Sequence, residues 1–314
     1  MESEIRQQPE VLQQGAAHYA QSLAPLRGRS FDMVLLAARG SSDNAATFAR
    51  YLIEIVLGVP VSLAAPSVIT RYRRGIRYPK CLAIGISQSG AAPDVAEVLA
   101  RMRQDGHTTL AITNTAGSRL TQEAEHSLLL GAGEERSVAA TKTYSASILA
   151  LYEVVRALGG DLPEPGPLLP GADWVELAGA SAQRASGPVV RSLPVFALGR
   201  GYSFATAQES ALKLMECALI PAKAFSSADF EHGPKALAGH GSAAISYVGE
   251  IPSLQAQGCE ILTAPEPLSD HASYEPLFPL WDAIFAQWLA LWAARARGLD
   301  PDVPRHLNKV TKTL

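Results

Sequence analysis

Short apolar runs alternate along the first half of the chain with longer stretches in which apolar residues recur every third or fourth position. The runs at 32–37, 61–65, 81–87, 108–113 and 127–130 predict strands, and the helical periodicity at 44–57, 93–104 and 141–158 predicts the helices between them. Strands that alternate with helices argue for parallel sheets joined by crossover helices. The sequence GGDLPEPGPLLPG at 159–171 is dense in Gly and Pro and predicts a linker. Beyond it the pattern resumes with a strand-like run at 189–198 that ends in Gly199-Arg200-Gly201-Tyr202-Ser203. Ala38-Arg39-Gly40-Ser41-Ser42 stands in the same place after the first strand, which suggests one α/β unit used twice. The expected division is an N-terminal helical segment at 1–28, a first domain at 29–160, a linker at 161–171, a second domain at 172–297 and a tail at 298–314.

Composition narrows the classes. The chain has 314 residues, 47% apolar and 18% charged, which is globular and long enough for two cores. A net charge of −3 gives no expectation of a nucleic-acid partner. The opening MESEIRQQPE does not read as a signal peptide. The apolar stretch from Leu280 to Ala294 is interrupted by Asp282 and Gln287 and reads as too short to span a bilayer, so no membrane partner is expected. Cys81, Cys217 and Cys259 lack metal-ligand spacing and read as buried thiols in a reducing, cytoplasmic setting. His18, His107, His126, His271 and His306 likewise show no ligand spacing, and no metal site is expected. Trp281, Phe285, Trp288 and Trp292 recur at helical spacing as a core or dimer stripe.

Two turns carry candidate chemistry. Ser87-Gln88-Ser89-Gly90 follows a buried-strand pattern and precedes Pro93, which suits the first turn of a helix. Helix N-termini at the carboxyl ends of parallel strands attract anions, and these hydroxyls and the amide could cradle a phosphomonoester. The turn Arg39–Asn44, with Ser42, is a second such element. Taken singly, each turn is equally well explained as a cap, and it is their pairing in one domain that favours a ligand. Farther on, Glu209, Lys213 and Glu216 share one helix face in ESALKLMECAL, with Leu212, Met215 and Leu219 opposite. Spacing alone makes that row a solvated ion-pair face. His232, in the Gly-Pro turn that follows, adds an imidazole and opens the alternative of proton transfer beside a carbonyl.

These segments together resemble the sugar isomerase (SIS) domain proteins in their double-domain form. EIRQQP at Glu4, ISQSG at 86–90, AGEERSVAATKTY at 132–144, ESALKLMECALIPAKAF at 209–225, EHGP at 231–234 and the final KVTKTL carry the resemblance in order. It is strongest to the isomerase half of glucosamine-6-phosphate synthase and to SIS-type glucosamine-6-phosphate deaminases. The implied fold is α/β, two SIS domains, each a parallel sheet flanked by helices. Ser42, Ser87, Gln88 and Ser89 match the sugar-phosphate positions, Glu216 the carboxylate that moves a proton between C1 and C2, and Lys213 a lysine near the open-chain oxygens. His232 matches the ring-opening imidazole, which in a homodimer reaches the partner's site, and Lys309 matches a tail lysine that meets the sugar. Ala92 departs from the pattern, standing where a Ser or Thr touches the phosphate. The resemblance implies no cofactor, a sugar-phosphate substrate, and a tail that closes the site.

The expected reaction is conversion of glucosamine 6-phosphate to fructose 6-phosphate plus ammonia, favoured over synthesis because no glutaminase segment is present in this sequence. An aldose–ketose isomerase, a fructosamine-phosphate deglycase or a glutaminase-less aminotransferase domain would use the same groups. A non-catalytic sugar-phosphate sensor is the alternative of another class, disfavoured by the presence of Glu216.

Overall fold

A computed structural model describes residues 1–266 and 274–309, so His271 and the last five residues of the tail lie outside the described residues. The chain forms two compact units that interleave in sequence. The first comprises Glu10–Glu134 and Thr143–Gly166, and the second comprises Met1–Pro9, Glu135–Lys142 and Pro167–Lys309. Helices α1 (Glu2–Arg6) and α2 (Gln8–Ser22) open the chain.

The first unit is built on β1 (Met33–Ala37), β2 (Val61–Leu63), β3 (Cys81–Ile86), β4 (Thr108–Thr113) and β5 (His126–Leu129). The strands are all parallel, in the order β2-β1-β3-β4-β5. Every residue of β3 and β4 is buried, as expected of central strands covered on both faces. Between them run α3 (Ser41–Val56), α4 (Pro66–Thr70), α5 (Pro93–Gln104) and α6 (Arg119–Glu123), with α7 (Lys142–Ala157) after β5. Leu35, Ala83 and Ala111 pack against Val95, Leu99 and Met102 of α5 to form one side of the core. The stretch RYRRGIRYPK at 71–80 between α4 and β3 is exposed apart from the half-buried Tyr78. It concentrates Arg71, Arg73, Arg74, Arg77 and Lys80, a local basic segment that the net charge conceals.

The second unit continues with α8 (Ala172–Arg191), β6 (Val195–Gly199), α9 (Ser203–Ala218), β7 (Ala222–Ser226), α10 (Ser227–Phe230), β8 (Ala243–Ser246), α11 (Pro252–Ala256), β9 (Glu260–Thr263) and α12 (Phe278–Ala296). Its parallel sheet has the order β7-β6-β8-β9, so that β6 lies between the two strands that follow it, as β1 does in the first sheet. The strand expected over 189–198 starts later than its β-branched residues suggest. Val189 instead completes the buried helical stripe Ala178, Ala182, Ser186, Val189, and that burial overrides its strand propensity. α12 is long and apolar enough to cross a membrane by composition, which corrects the expectation from its interruptions. It is the core helix of its unit, packed on α8 and α9 with Trp281, Phe285 and Trp288 buried. The indole of Trp174 donates to the Trp281 carbonyl at 3.0 Å.

Asp282 sits on this apolar helix, and burial pushes its carboxyl from 3.8 up to about 7. Between those values the folded chain keeps a proton that the unfolded chain has lost. This group's contribution to stability is therefore complete below about pH 4 and is lost as pH rises to about 7. Asp282→Asn removes the penalty, so at pH 8 the variant is expected to be more stable than the parent by about 2–4 kcal/mol, with little difference at pH 4. Denaturant titrations at both pH values measure this, and parallel pH profiles for the two proteins would contradict it.

Candidate active site

In an open parallel sheet, ligands bind beyond the carboxyl ends of the strands where the chain direction reverses across the sheet. In the first unit that point lies between β1 and β3, whose ends are in register at Ala37 and Gly85. The two serine-bearing turns leave from these strands. Gly40 is the N-cap of α3 with φ of 58°, a conformation that disfavours other residues, and Ser41 and Ser42 form the first turn behind it. After β3, the Ser87 backbone N–H donates to the Ile112 carbonyl at 3.1 Å, and the Gln88 carbonyl accepts from Asn114 N–H at 3.0 Å and the Thr113 hydroxyl at 3.2 Å. Gly90 closes the turn at φ of 61°, where a Cβ would fall 2.1 Å from the Ser118 hydroxyl. Ser89 Oγ accepts the Ala91 N–H at 3.3 Å, which leaves its own proton to donate. Ser87 is 8% exposed, and Gln88, Ser89 and Ser42 are half-buried. Ala92 is the N-cap of α5 and supplies no side-chain cap.

In the second unit, α9 overturns the solvated-face reading of its ion-pair row. Glu209 and Lys213 are fully buried, and Met215 and Leu219 are 43% and 40% exposed. The amphipathic helix is turned with its charges inward. Lys213 Nζ lies 3.4 Å from Glu209 Oε1 and donates to Glu216 Oε2 in a short contact. Burial opposes the charge of Lys213, but Glu209 and Glu216 outweigh it and hold the ammonium above its ordinary range. Glu216 keeps 24% of its side chain exposed, so one carboxylate of the row reaches the surface. The helix ends at Leu219, whose φ is 53°, and Arg297 caps it by donating to the Ala218 and Leu219 carbonyls at 2.8 Å. His232 is exposed in the turn after α10, where its backbone N–H donates to the Asp229 carbonyl at 3.1 Å.

Lys309 is placed by residues that the sequence reading passed over. Its Nζ donates to Glu135 Oε2 at 2.8 Å and to the Ser137 carbonyl at 2.6 Å. Glu135 also accepts from Thr141 N–H and hydroxyl at 3.0 and 3.1 Å. Glu4 accepts the N–H groups of Arg136 at 2.5 Å and Ser137 at 3.2 Å, and the Thr141 hydroxyl at 3.3 Å. Two buried carboxylates thus hold the segment 135–141 and tie the tail lysine to it. Both lie in the matched segments EIRQQP and AGEERSVAATKTY, which was the available signal. Among the described residues, no group of three His, Cys, Asp or Glu side chains converges, and all three cysteines are buried and unpaired.

Two parallel sheets flanked by helices, with polar turns at the switch point of the first, define the α/β class of the fold, and residues 30–156 match the SIS domain family. Over 98% of its length the chain is 29% identical to the glutamine–fructose-6-phosphate aminotransferase (isomerizing) of Methanothermobacter thermautotrophicus, covering 56% of that protein. It spans about half the length of the curated relatives it matches. Among solved structures it superposes on glucosamine-6-phosphate deaminase from Thermotoga maritima with a TM-score of 0.82 at 25% identity, covering 99% of both chains. The C-terminal domain of glucosamine-fructose-6-phosphate aminotransferase from Francisella tularensis shares the fold, with a TM-score of 0.79 at 24% identity over 96% of this chain and 97% of that one.

Proposed function

We propose that this chain converts an amino-sugar 6-phosphate, glucosamine 6-phosphate in the first instance, to the ketose phosphate and ammonia. The observation that carries the reading is the buried Glu209–Lys213–Glu216 row. A fully buried glutamate and lysine, on a helix that turns methionine and leucine outward, stand behind Glu216, the carboxylate of the row that keeps exposed surface and can meet a substrate as an acid–base group. The names of the relatives point to the same substrate class.

In this scheme Ser42, Ser87, Gln88 and Ser89 hold the phosphate. His232 assists ring opening, and in a homodimer it serves the partner's site. Glu216 takes the proton from C2 of the open-chain aldehyde to form an enolamine and returns it to C1, which leaves an imine at C2. Water adds to C2, ammonia departs, and the ketose remains. Lys309 stabilises the negative charge that develops on the sugar oxygens during the transfer, and the buried Lys213 acts through its ion pair with Glu216.

An ammonia-release assay over a panel of hexosamine and hexose phosphates tests the reading. One ammonia per ketose from a hexosamine phosphate is expected. Ketose formed faster from a non-amino hexose phosphate, without ammonia from any hexosamine, would assign an aldose–ketose isomerase. Tight binding without turnover would assign a sensor. Ser87→Ala/Ser89→Ala removes two donors to a dianion and is expected to weaken substrate binding by about 10- to 100-fold in calorimetry. Unchanged affinity would place the phosphate elsewhere.

A further inference from the structure

The proposed reading asks the turns after β1 and β3 to hold a dianion, yet each helix that follows carries an aspartate in its first turn, Asp43 on α3 and Asp94 on α5. Carboxylates there suit the helix dipoles but repel a phosphate monoester. Within residues 38–44 and 87–94 the only lysine or arginine is Arg39. Its Nε donates to Asp94 Oδ2 at 2.6 Å, with the aspartate side chain 4% exposed and the arginine 52% exposed. A guanidinium held through Nε keeps the N–H groups of both Nη atoms for a second acceptor. Those Nη atoms make no hydrogen bond to a described residue, and the Arg39 side chain is 52% exposed. The same charge reaches the other aspartate: partial burial raises the Asp43 carboxyl, and Arg39 opposes that rise. Ala92, at the cap of α5 between the serine turn and Asp94, has no hydroxyl to offer an anion.

We propose that Arg39 is the cationic member of the phosphate cradle, positioned by Asp94 and supplying through its Nη atoms the hydrogen bonds that Ala92 cannot make. The pair turns a repulsive helix start into a binding one. The buried carboxylate fixes the guanidinium, and the outward fork meets the phosphate oxygens in the planar geometry that arginine favours. The proposal rests on the reading that these turns take the phosphate, and it adds a specific residue to that reading.

Calorimetry on the full chain with fructose 6-phosphate and with inorganic phosphate separates the two. The parent protein is expected to bind both. Arg39→Met is expected to lose about 10- to 100-fold in affinity for each, and Arg39→Lys, which keeps a cation beside Asp94 but not the fork, to fall between. Adding Ala92→Ser to Arg39→Met should recover part of the loss. Thermal melts of each variant confirm that the first unit is folded. Parental affinity in folded Arg39→Met overturns the role of Arg39 while the phosphate reading stands. Failure of the parent to bind either ligand overturns both.

Discussion

Glu216→Gln is expected to lower turnover of the amino-sugar phosphate by roughly 10²–10⁴-fold, the loss typical of a general base, with substrate affinity changed little. On the buried row of α9, Glu216 is the carboxylate with accessible surface, at 24% of its side chain. Glu209, fully buried behind Lys213, has no surface to offer a substrate. A proton moved from C2 to C1 needs one group that can both take and return it, and a lysine held firmly in its ammonium form is no base. The glutamine preserves shape and polarity while removing basicity, so the effect should fall on kcat and spare the affinity that the phosphate turns provide. Exchange of the C2 hydrogen with solvent, followed by NMR, gives a readout independent of ammonia release. Full exchange and full turnover in Glu216→Gln would remove this residue from the chemistry.

Lys213→Met is expected to destabilise the second unit strongly. Lys213 is fully buried between two carboxylates, and removing the cation from such a cluster costs about 3–5 kcal/mol, because negative charge stays behind in a desolvated place. Methionine fills most of the volume, so the loss is electrostatic rather than a cavity effect. The double variant Glu209→Gln/Lys213→Met should therefore recover a substantial part of the stability, since it withdraws one of the buried negative charges. Denaturant unfolding of parent, single and double variants measures both effects. A double variant no more stable than Lys213→Met alone would show that packing, not charge, accounts for the loss.

The elements that position the candidate site were legible where local signals agreed. Pro93–Gln104 and Thr108–Thr113 lie where periodicity and turn residues put them, because Pro93 marks a helix start and a buried strand shows as an unbroken β-prone run. The serine turns were legible for the same reason: a strand end, a glycine and a helix start occur within a few residues. The run at 189–198 was misread because valines propose a strand, and only the helix partner that buries Val189 decides otherwise. The carboxylates Glu4 and Glu135 were missed because their hydrogen bonds reach a segment 132 to 137 residues away for Glu4 and tie Glu135 to Lys309 across 174.

The sequence by itself determined the parallel α/β class, the two serine turns as a candidate phosphate site, and the set of residues that share one face of α9. All three are local, because strand and helix periods and turn chemistry act over a few residues. Spacing states that Glu209, Lys213 and Glu216 lie together, but a helix can turn either face to its neighbours. Which face looks inward was decided by tertiary packing, with Met215 and Leu219 left at the surface and the lysine sealed between its carboxylates. The same holds for Arg39, whose sequence position says only that it follows a strand. The fold brings Asp94 to it, 55 residues along the chain, and fixes which of its nitrogens remain for an anion.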